Sequence, residues 1–302
     1  MRTNSVRLVD VFDPLGLDEA HEFIAERLHA PGAFFAGRLG STELRAVIRH
    51  QLRSRGSLVT RLAATATNFQ LPFFSKFENR KLAYDSGFYP LTQEYVARFA
   101  SEMLASMEQV DLLASWVPGE ERFGQHFSAA SVTELANLAP FWSHKPWTTA
   151  LAHKKVLVIH PFADTIREQY REKRERLFDR EGILPRFHLD VLRAVQSLGG
   201  PDPRFSTWFE ALDWMTQEAL SRDFDVALVG CGAYGFPLSA RLKKHGKRVV
   251  HLGGLLQILF GIRGKRWDSV REFRELYNSN WIRALPHEVP AGAHKLGQGS
   301  YW

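Results

Sequence analysis

Hydrophobic and polar positions along the chain follow two patterns, one typical of helices and one typical of buried strands. Segments with the composition and apolar spacing of helices lie at 18–30, 41–56, 94–107, 163–178, 208–222, 237–246 and 255–261. Short apolar runs bounded by polar residues or glycine predict buried strands at 32–38, 110–116, 154–162, 223–232 and 247–254. Alternating strands and helices predict an α/β fold, in which helices cover a Rossmann-like, mostly parallel sheet.

The first half of the chain has a less regular pattern than the second. Residues 57–150 are predicted to be mostly helical and irregular, with aromatic loops at 68–74 and 86–90, so the first half carries a helical, aromatic-rich insertion. A boundary near residue 150 divides an N-terminal α/β half (1–150) from a Rossmann-like C-terminal half (151–302). The linker is not rich in Gly or Ser, so the two halves are equally compatible with one continuous domain.

Composition narrows the class of protein. The 302 residues are 45% hydrophobic and 24% charged, which predicts a soluble protein with a sizeable core. The single cysteine, Cys231, allows no intramolecular disulfide and indicates a reducing compartment. The longest apolar run, 249–262, is shorter than the roughly 20 residues of a membrane-spanning helix. We therefore expect a cytoplasmic protein; peripheral association with the inner face of the membrane is compatible with this sequence.

The charge balance favours anionic partners. The net charge is +6, and the sequence pI is about 9.5. The 33 acidic residues are interspersed with the 39 basic ones, without the Lys/Arg block of a nucleic-acid-binding arm. We expect nucleotide phosphates or anionic head groups as ligands, and no nucleic acid.

A glycine-rich turn follows the strand predicted at 223–232. Gly230, Gly232 and Gly235 form the pattern G-x-G-x-x-G, with Tyr234 inside it, between a predicted strand and a helix. A dinucleotide-binding fold would place an acidic residue at the end of the next strand, where this chain has His251. The turn is therefore interpreted as a phosphate- or nucleotide-facing loop, or as a tight crossing that needs glycine for close packing.

A second glycine turn and a basic loop follow the last predicted strand. Gly253 and Gly254 come directly after it, and the loop contributes Arg263, Lys265 and Arg266. The carboxyl ends of parallel strands meet at one edge of a sheet, so both glycine turns and His160 should lie together there. The basic loop is interpreted as a diphosphate or acceptor contact, or as a solvated turn. Cys231 is expected to be a packed residue and Asp164 a helix N-cap.

The segment RLGSTE, residues 38–43, combines a strand end, a glycine turn and a helix start with an acid. Glu43 would be the third residue of the helix after Gly40, a position where a carboxylate stabilises the helix dipole. Alternatively, Glu43 binds Mg²⁺ or Mn²⁺, which would bridge it to a diphosphate. Arg38 would then supply a second positive charge.

This segment resembles the R-hydrophobic-G-D-x-E motif of bacterial glycosyltransferases of the GT-D fold class, and a more diffuse likeness extends over most of the chain. The resemblance implies that a sugar is transferred from a nucleoside-diphosphate sugar to a glycan or lipid-linked glycan acceptor at the cell surface. It implies Glu43 and Arg38 as catalytic residues, with Glu43 also binding a divalent cation, Mn²⁺ or Mg²⁺. The Asp of the family motif is replaced here by Ser41.

The remaining residues of the predicted site come from the strand ends. The predicted substrate- and nucleotide-binding residues are Gly40, Ser41, His160, Gly230, Gly232, Tyr234, Gly235, Gly253, Gly254, Arg263, Lys265 and Arg266. Candidates for the base that accepts the proton of the acceptor are Asp85, His160 and Asp164.

Two other functions remain open from the sequence alone. Replacement of the motif Asp by Ser41 favours a non-catalytic, Rossmann-like nucleotide-binding protein. The G-x-G-x-x-G pattern favours an NAD(P)-dependent oxidoreductase.

Overall fold

A seven-stranded parallel β-sheet runs through the computed structural model, which describes residues 6–55, 81–198, 200–290, 293 and 301–302. The strands are β1 Phe34–Gly37, β2 Leu112–Ser115, β3 Ser131–Glu134, β4 Lys155–His160, β5 His188–Arg193, β6 Val226–Val229 and β7 Arg248–His251. Their order is β3-β2-β1-β7-β6-β4-β5, and every neighbouring pair is parallel. The predicted α/β fold with a parallel sheet is confirmed.

Helices cover both faces of the sheet. They are α1 Leu17–His29, α2 Ser41–Arg55, α3 Gln93–Met107, α4 Ala163–Lys173, α5 Trp208–Leu220, α6 Gly235–Lys244, α7 Leu255–Leu259, α8 Lys265–Asp268 and α9 Arg271–Arg274. Successive strand residues alternate between two hydrophobic clusters: Phe35 belongs to the cluster on one face and Phe34 to that on the other. The central strands are therefore buried on both sides, as their continuous apolar runs predict.

The insertion in the first half is helical and aromatic where it is described. Residues 81–86 and α3 are helical, and the ring of Phe88 packs against Phe99 and Trp208, with centroids 5.0 and 5.6 Å away. The predicted aromatic loop at 68–74 lies outside the described residues. No helix in the described part of the chain is both long and apolar enough to cross a membrane.

The structure differs from the predicted elements at both sheet edges and at one helix start. The edge strands β3 and β5 were not predicted, because their short sequences mix polar and apolar residues. Asp164 is not the N-cap of α4, as was predicted, since that position belongs to Phe162. The carboxylate of Glu288 instead accepts hydrogen bonds from the backbone N–H groups of Asp164 and Thr165 at the helix start, at 2.7 and 3.1 Å.

A crevice at the carboxyl edge follows from the connections of the central strands. β1 and β7 are neighbours, with Phe34 in register with Arg248. The helix after β1, α2, packs on one face of the sheet, whereas the helix after β7, α7, packs on the other. Where successive helices diverge in this way, a parallel sheet opens a crevice at its carboxyl edge, which is the usual ligand site of such folds.

Candidate functional site

Three cavities meet at this carboxyl edge, and Arg38 lines all of them. The glycine-turn cavity is lined by, among others, His160, Gly230, Gly232, Gly253, Gly254 and Tyr301. The motif cavity is lined by, among others, Ser41, Glu43, Asp85, Trp116, His251 and Arg266. The tryptophan cavity is lined by, among others, Trp116, Trp142, Gly254, Arg266, Trp267 and Phe273.

Arg38 lies at the junction of these cavities because Gly253 leaves room for it. A Cβ built on Gly253 would lie 2.6 Å from Arg38 Nε, which is closer than real Cβ atoms approach. The guanidinium donates a hydrogen bond to the Leu39 carbonyl oxygen at 3.1 Å and lies over the Trp116 ring, 5.7 Å from its centroid. The strand end, the second glycine turn and Trp116 thus hold one partly buried cation in place.

Charged groups of both signs surround Arg38. Burial lowers the pKa of Arg38; Tyr301 and Glu43 raise it, and the nearby positive charge of Arg266 lowers it again. Arginine remains protonated in proteins, so Arg38 and Arg266 present two positive charges to the motif cavity, which the carboxyl groups of Glu43 and Asp85 also line. The repulsion between the two arginines favours a negatively charged group between them.

Glu43 is the third residue of α2, and its carboxyl group lies over Gly40. A Cβ on Gly40 would lie 2.5 Å from the carboxyl carbon of Glu43. The first backbone hydrogen bond of α2, from Leu44 N–H to the Gly40 carbonyl oxygen, measures 2.9 Å. This is the helix-start position predicted for a capping acid, and the same side chain also lines the motif cavity. Both interpretations of Glu43 are compatible with its placement.

A buried glutamate that the sequence analysis did not identify supports this side of the site. Glu120 accepts hydrogen bonds from Ser115 Oγ and from the backbone N–H groups of Trp116 and Val117, the latter two at 3.2 Å. Burial raises the pKa of Glu120 to about 7. The Trp116 indole N–H donates to the Leu39 carbonyl oxygen at 2.8 Å. Glu120 therefore positions the tryptophan on which Arg38 rests.

The glycines of the G-x-G-x-x-G pattern have separate roles. Gly230 permits close packing, since a Cβ there would lie 2.6 Å from the Gly253 carbonyl oxygen. Gly232 has a φ of +59°, and nothing would lie within 4 Å of a Cβ on it, so its backbone faces open space in the cavity. Gly235 begins α6 and makes room for His251, whose Cδ2 would lie 2.7 Å from a Cβ. Gly232 is thus the position in this turn best suited to face a ligand.

Two buried histidines at the strand ends are neutral. Burial lowers the pKa of His160 to about 3, and its Nδ1 accepts the Phe162 N–H at 3.0 Å, which leaves the ring proton on Nε2. His160 can therefore offer a hydrogen-bond donor to the glycine-turn cavity that it lines. Burial, and then Arg38, lower the pKa of His251 to about 3. Neither ring nitrogen of His251 has a hydrogen-bond partner among the described residues.

Tyr234 and Cys231 are packed into the core at the wall of the glycine-turn cavity. The Tyr234 hydroxyl is 2.8 Å from Ser197 Oγ, and its ring stacks on Trp208 with centroids 4.8 Å apart. Burial raises the pKa of the Cys231 thiol far above its usual range, which suits the packing role expected for it.

The three residues of the basic loop have different surroundings. Arg266 is exposed and lines both the motif cavity and the tryptophan cavity. Arg263 lies over the Tyr277 ring, 5.0 Å from its centroid, with Asp268 at 3.8 Å. Lys265 is exposed. Neither Arg263 nor Lys265 lines the three cavities.

The three candidate bases have different surroundings. Asp85 is exposed and lines both the glycine-turn cavity and the motif cavity. Asp164 lies outside these cavities, bound to His287, Arg193 and Arg167, and these contacts lower its pKa. His160 lines a cavity, but its lowered pKa makes it a weak base.

Comparison with known proteins finds distant structural likeness. No family model and no curated protein matches the sequence. Two solved structures align with 91% of this chain and 91% of their own. One is described as the highly conserved domain of unknown function 1792, with a distinct glycosyltransferase fold (12% identity, TM-score 0.42). The other is a selenomethionine-substituted structure of the same domain (13% identity, TM-score 0.40). Similarity this low does not assign an activity.

The side chains around Glu43 do not form a complete metal-binding site on their own. Among the described residues, the group of three side chains close enough to share a metal ion is Asp164, His287 and Glu288. This group lies apart from the three cavities, and Arg193 contacts both of its carboxylates. Glu43 and Asp85 line the motif cavity together with two arginines. A cation there would depend on oxygen atoms from a bound phosphate to complete its coordination.

Two residues of the cavities, Trp142 and Tyr301, and the supporting Glu120 had no signal in the sequence. Trp142 and Glu120 lie in segments without clear periodicity, and Tyr301 follows a stretch without predicted structure. Trp116 ends a predicted strand, which is the feature of the sequence that could have indicated the tryptophan cavity.

Proposed function

We propose that this protein is a GT-D-like glycosyltransferase that moves a sugar from a nucleoside-diphosphate sugar to a glycan or lipid-linked glycan acceptor of a bacterial surface. The observation that supports this most strongly is the placement of Arg38. It lies over Gly253 at the junction of three cavities, with Arg266 facing the same space. A leaving diphosphate needs such positive charge where its own negative charge develops.

Two of the cavities suit the two ends of a nucleotide-sugar donor. In our proposal the nucleotide lies against the glycine-turn cavity, whose volume of about 70 Å³ takes only part of it, beside the backbone of Gly232 and the Nε2–H of His160. The diphosphate contacts Arg38, and the donor sugar lies in the motif cavity beside Glu43, Ser41 and Asp85. Asp85 accepts the proton of the acceptor hydroxyl as that oxygen bonds to the anomeric carbon. The diphosphate leaves with the electrons of the broken bond and is stabilised by Arg38 and Arg266.

A divalent cation at Glu43 remains a prediction. A bound cation would neutralise negative charge on the diphosphate. Glu43 has two arginines nearby and Ser41 in place of the motif carboxylate, so no step of the proposed reaction depends on the cation. The cytoplasmic location and the association with the inner face of the membrane also remain predictions.

The test is a thermal-shift screen of nucleoside diphosphates and nucleotide sugars with and without Mn²⁺, followed by assays of transfer and donor hydrolysis. A ligand at 100 times its dissociation constant stabilises a protein by about 2.7 kcal/mol. We expect stabilisation by a nucleotide sugar and its loss in Arg38→Ala. Binding of nucleotide without turnover of any sugar would instead identify a non-catalytic nucleotide-binding protein, and binding of NAD(P) alone would identify an oxidoreductase.

A further inference from the structure

We infer that the tryptophan cavity is a carbohydrate subsite that holds one pyranose ring of the acceptor glycan. The role as acceptor subsite rests on the proposed function, whereas the carbohydrate specificity rests on the cavity itself. The cavity lies between Trp116, Trp142 and Trp267, on walls contributed by three separate parts of the chain.

The size of the cavity fits a single substituted ring. Its volume is about 220 Å³. An apolar cavity of about 150 Å³ is large enough for one benzene molecule, so this cavity has room for a six-membered ring with its substituents. A lipid chain would need a longer apolar groove.

The chemistry of the walls fits a ligand with apolar faces and polar edges. Trp267 packs against Phe273 with ring centroids 4.8 Å apart, and Trp142 packs against the same ring at 5.4 Å. Aromatic rings bury apolar surface well, and the C–H faces of a pyranose are apolar. The guanidinium of Arg266 lies over Trp267, 5.4 Å from the ring centroid, at the rim of the cavity.

A buried donor in the wall lacks a partner. Trp267 is 9% exposed, and its indole N–H makes no hydrogen bond with the described residues. The nitrogen is covered by protein atoms and offers no surface to the cavity, so Trp267 contributes its ring to the wall and not a hydrogen bond.

The polar side chains of the lining are hydrogen-bond donors. Trp116 already donates its indole N–H to the Leu39 carbonyl oxygen, so the donors that remain are the Trp142 indole and the guanidinium groups of Arg38 and Arg266. The hydroxyl oxygens of a sugar can accept from these donors.

Direct binding of methyl glycosides tests the inference without any nucleotide. The probes are the methyl glycosides of glucose, galactose, rhamnose and N-acetylglucosamine. Saturation-transfer NMR on the whole protein measures their binding. We expect at least one to bind, and its dissociation constant to rise at least tenfold in Trp142→Ala and to recover in Trp142→Phe. Trp267→Phe keeps an aromatic ring in the wall, so it should weaken binding less.

Trp214→Ala is the matched control, because Trp214 packs with Phe205 and Arg204 and lines none of the three cavities. It should leave glycoside binding unchanged. Failure of every glycoside to bind the wild type would overturn the inference, as would equal losses in Trp142→Ala and Trp214→Ala. A Trp142→Ala defect confined to nucleotide affinity would also overturn it. Glycoside binding without any nucleotide-sugar turnover would preserve the carbohydrate site and reject the glycosyltransferase proposal.

Discussion

Gly253 has no side chain at the point where the Arg38 guanidinium lies, so the second glycine turn and the end of β1 together form one structural unit. The φ of Gly253 is +56°, in the left-handed region that residues with a side chain rarely adopt. We predict that Gly253→Ala displaces Arg38 and weakens nucleoside-diphosphate binding at least tenfold, about 1.4 kcal/mol. Isothermal titration calorimetry measures this.

The control for Gly253→Ala is Gly246→Ala. Gly246 has a φ of +79° but nothing within 4 Å of a Cβ, so it has the backbone strain without the overlap. Both variants should lose roughly 1–2 kcal/mol of unfolding free energy. Equal nucleotide affinity in the two variants would show that Arg38 does not need the space over Gly253.

The second prediction separates the two interpretations of Glu43. If Glu43 acts in catalysis, Glu43→Gln lowers the transfer rate by about 10² or more. If it stabilises only the helix dipole, the variant loses roughly 0.3–1 kcal/mol of stability and keeps its activity. Turnover and melting temperature measured on the same preparation distinguish these outcomes, and we expect the first.

Restoring the family acid tests whether a cation takes part. In a metal-dependent enzyme, Ser41→Asp should increase the response to Mn²⁺, because a second carboxylate strengthens cation binding. If Arg38 and Arg266 hold the diphosphate alone, the added negative charge should weaken nucleotide binding. Full wild-type activity in EDTA would reject the metal and leave the proposed sugar transfer intact.

The third prediction assigns the acceptor base. Asp85→Asn should lower kcat by about 10²–10⁴, since an amide cannot accept the proton of the acceptor hydroxyl. Donor hydrolysis by water and the KM for the nucleotide sugar should change much less. Asp164→Asn serves as comparison, because its contacts with Arg193 and His287 lie outside the cavities and should affect stability alone. A larger loss of kcat in Asp164→Asn than in Asp85→Asn would contradict the assignment of Asp85 as the base.

The fourth prediction concerns pH and Glu120. The pKa of this carboxyl is raised from 4.5 to about 7 in the folded protein, so the folded state holds its proton more tightly than the unfolded state. Its contribution to stability is therefore fully present below pH 4.5 and is lost as the pH rises through 7. Across this pH range, the unfolding free energy of the wild type should fall by up to about 3 kcal/mol relative to that of Glu120→Gln.

Denaturant unfolding of both proteins at pH 4.5, 6 and 8 measures this difference. The buried histidines His21, His160 and His251 act in the opposite direction, since their pKa values are lowered and their neutral forms are favoured. These histidines are present in both proteins, so their effect on stability cancels in the comparison. Parallel pH profiles for the wild type and Glu120→Gln would contradict the prediction.

The sequence predicted the central fold because strong apolar runs define strands that are buried on both faces. It also placed His160, Gly232 and Gly253 at one edge, since parallel strands end together. The edge strands β3 and β5 were not predicted because half-exposed strands of four to six residues carry little hydrophobic signal.

Contacts between distant parts of the chain explain the rest. The space that Gly253 leaves for Arg38, and the support that Glu120 gives Trp116, depend on side-chain packing that has no local pattern. Asp164 has the composition of an N-cap, yet Glu288 from far along the chain binds the helix start instead.

Because a single guanidinium forms part of the wall of all three cavities, we expect ligands bound in them to be thermodynamically coupled. A ligand that fixes Arg38 in one position changes the surface that the other two ligands encounter. The coupling is reciprocal: if a nucleoside diphosphate tightens glycoside binding by some factor, the glycoside must tighten nucleoside-diphosphate binding by the same factor. The affinity of one ligand, measured at saturation with the other, therefore reports how strongly Arg38 links donor to acceptor.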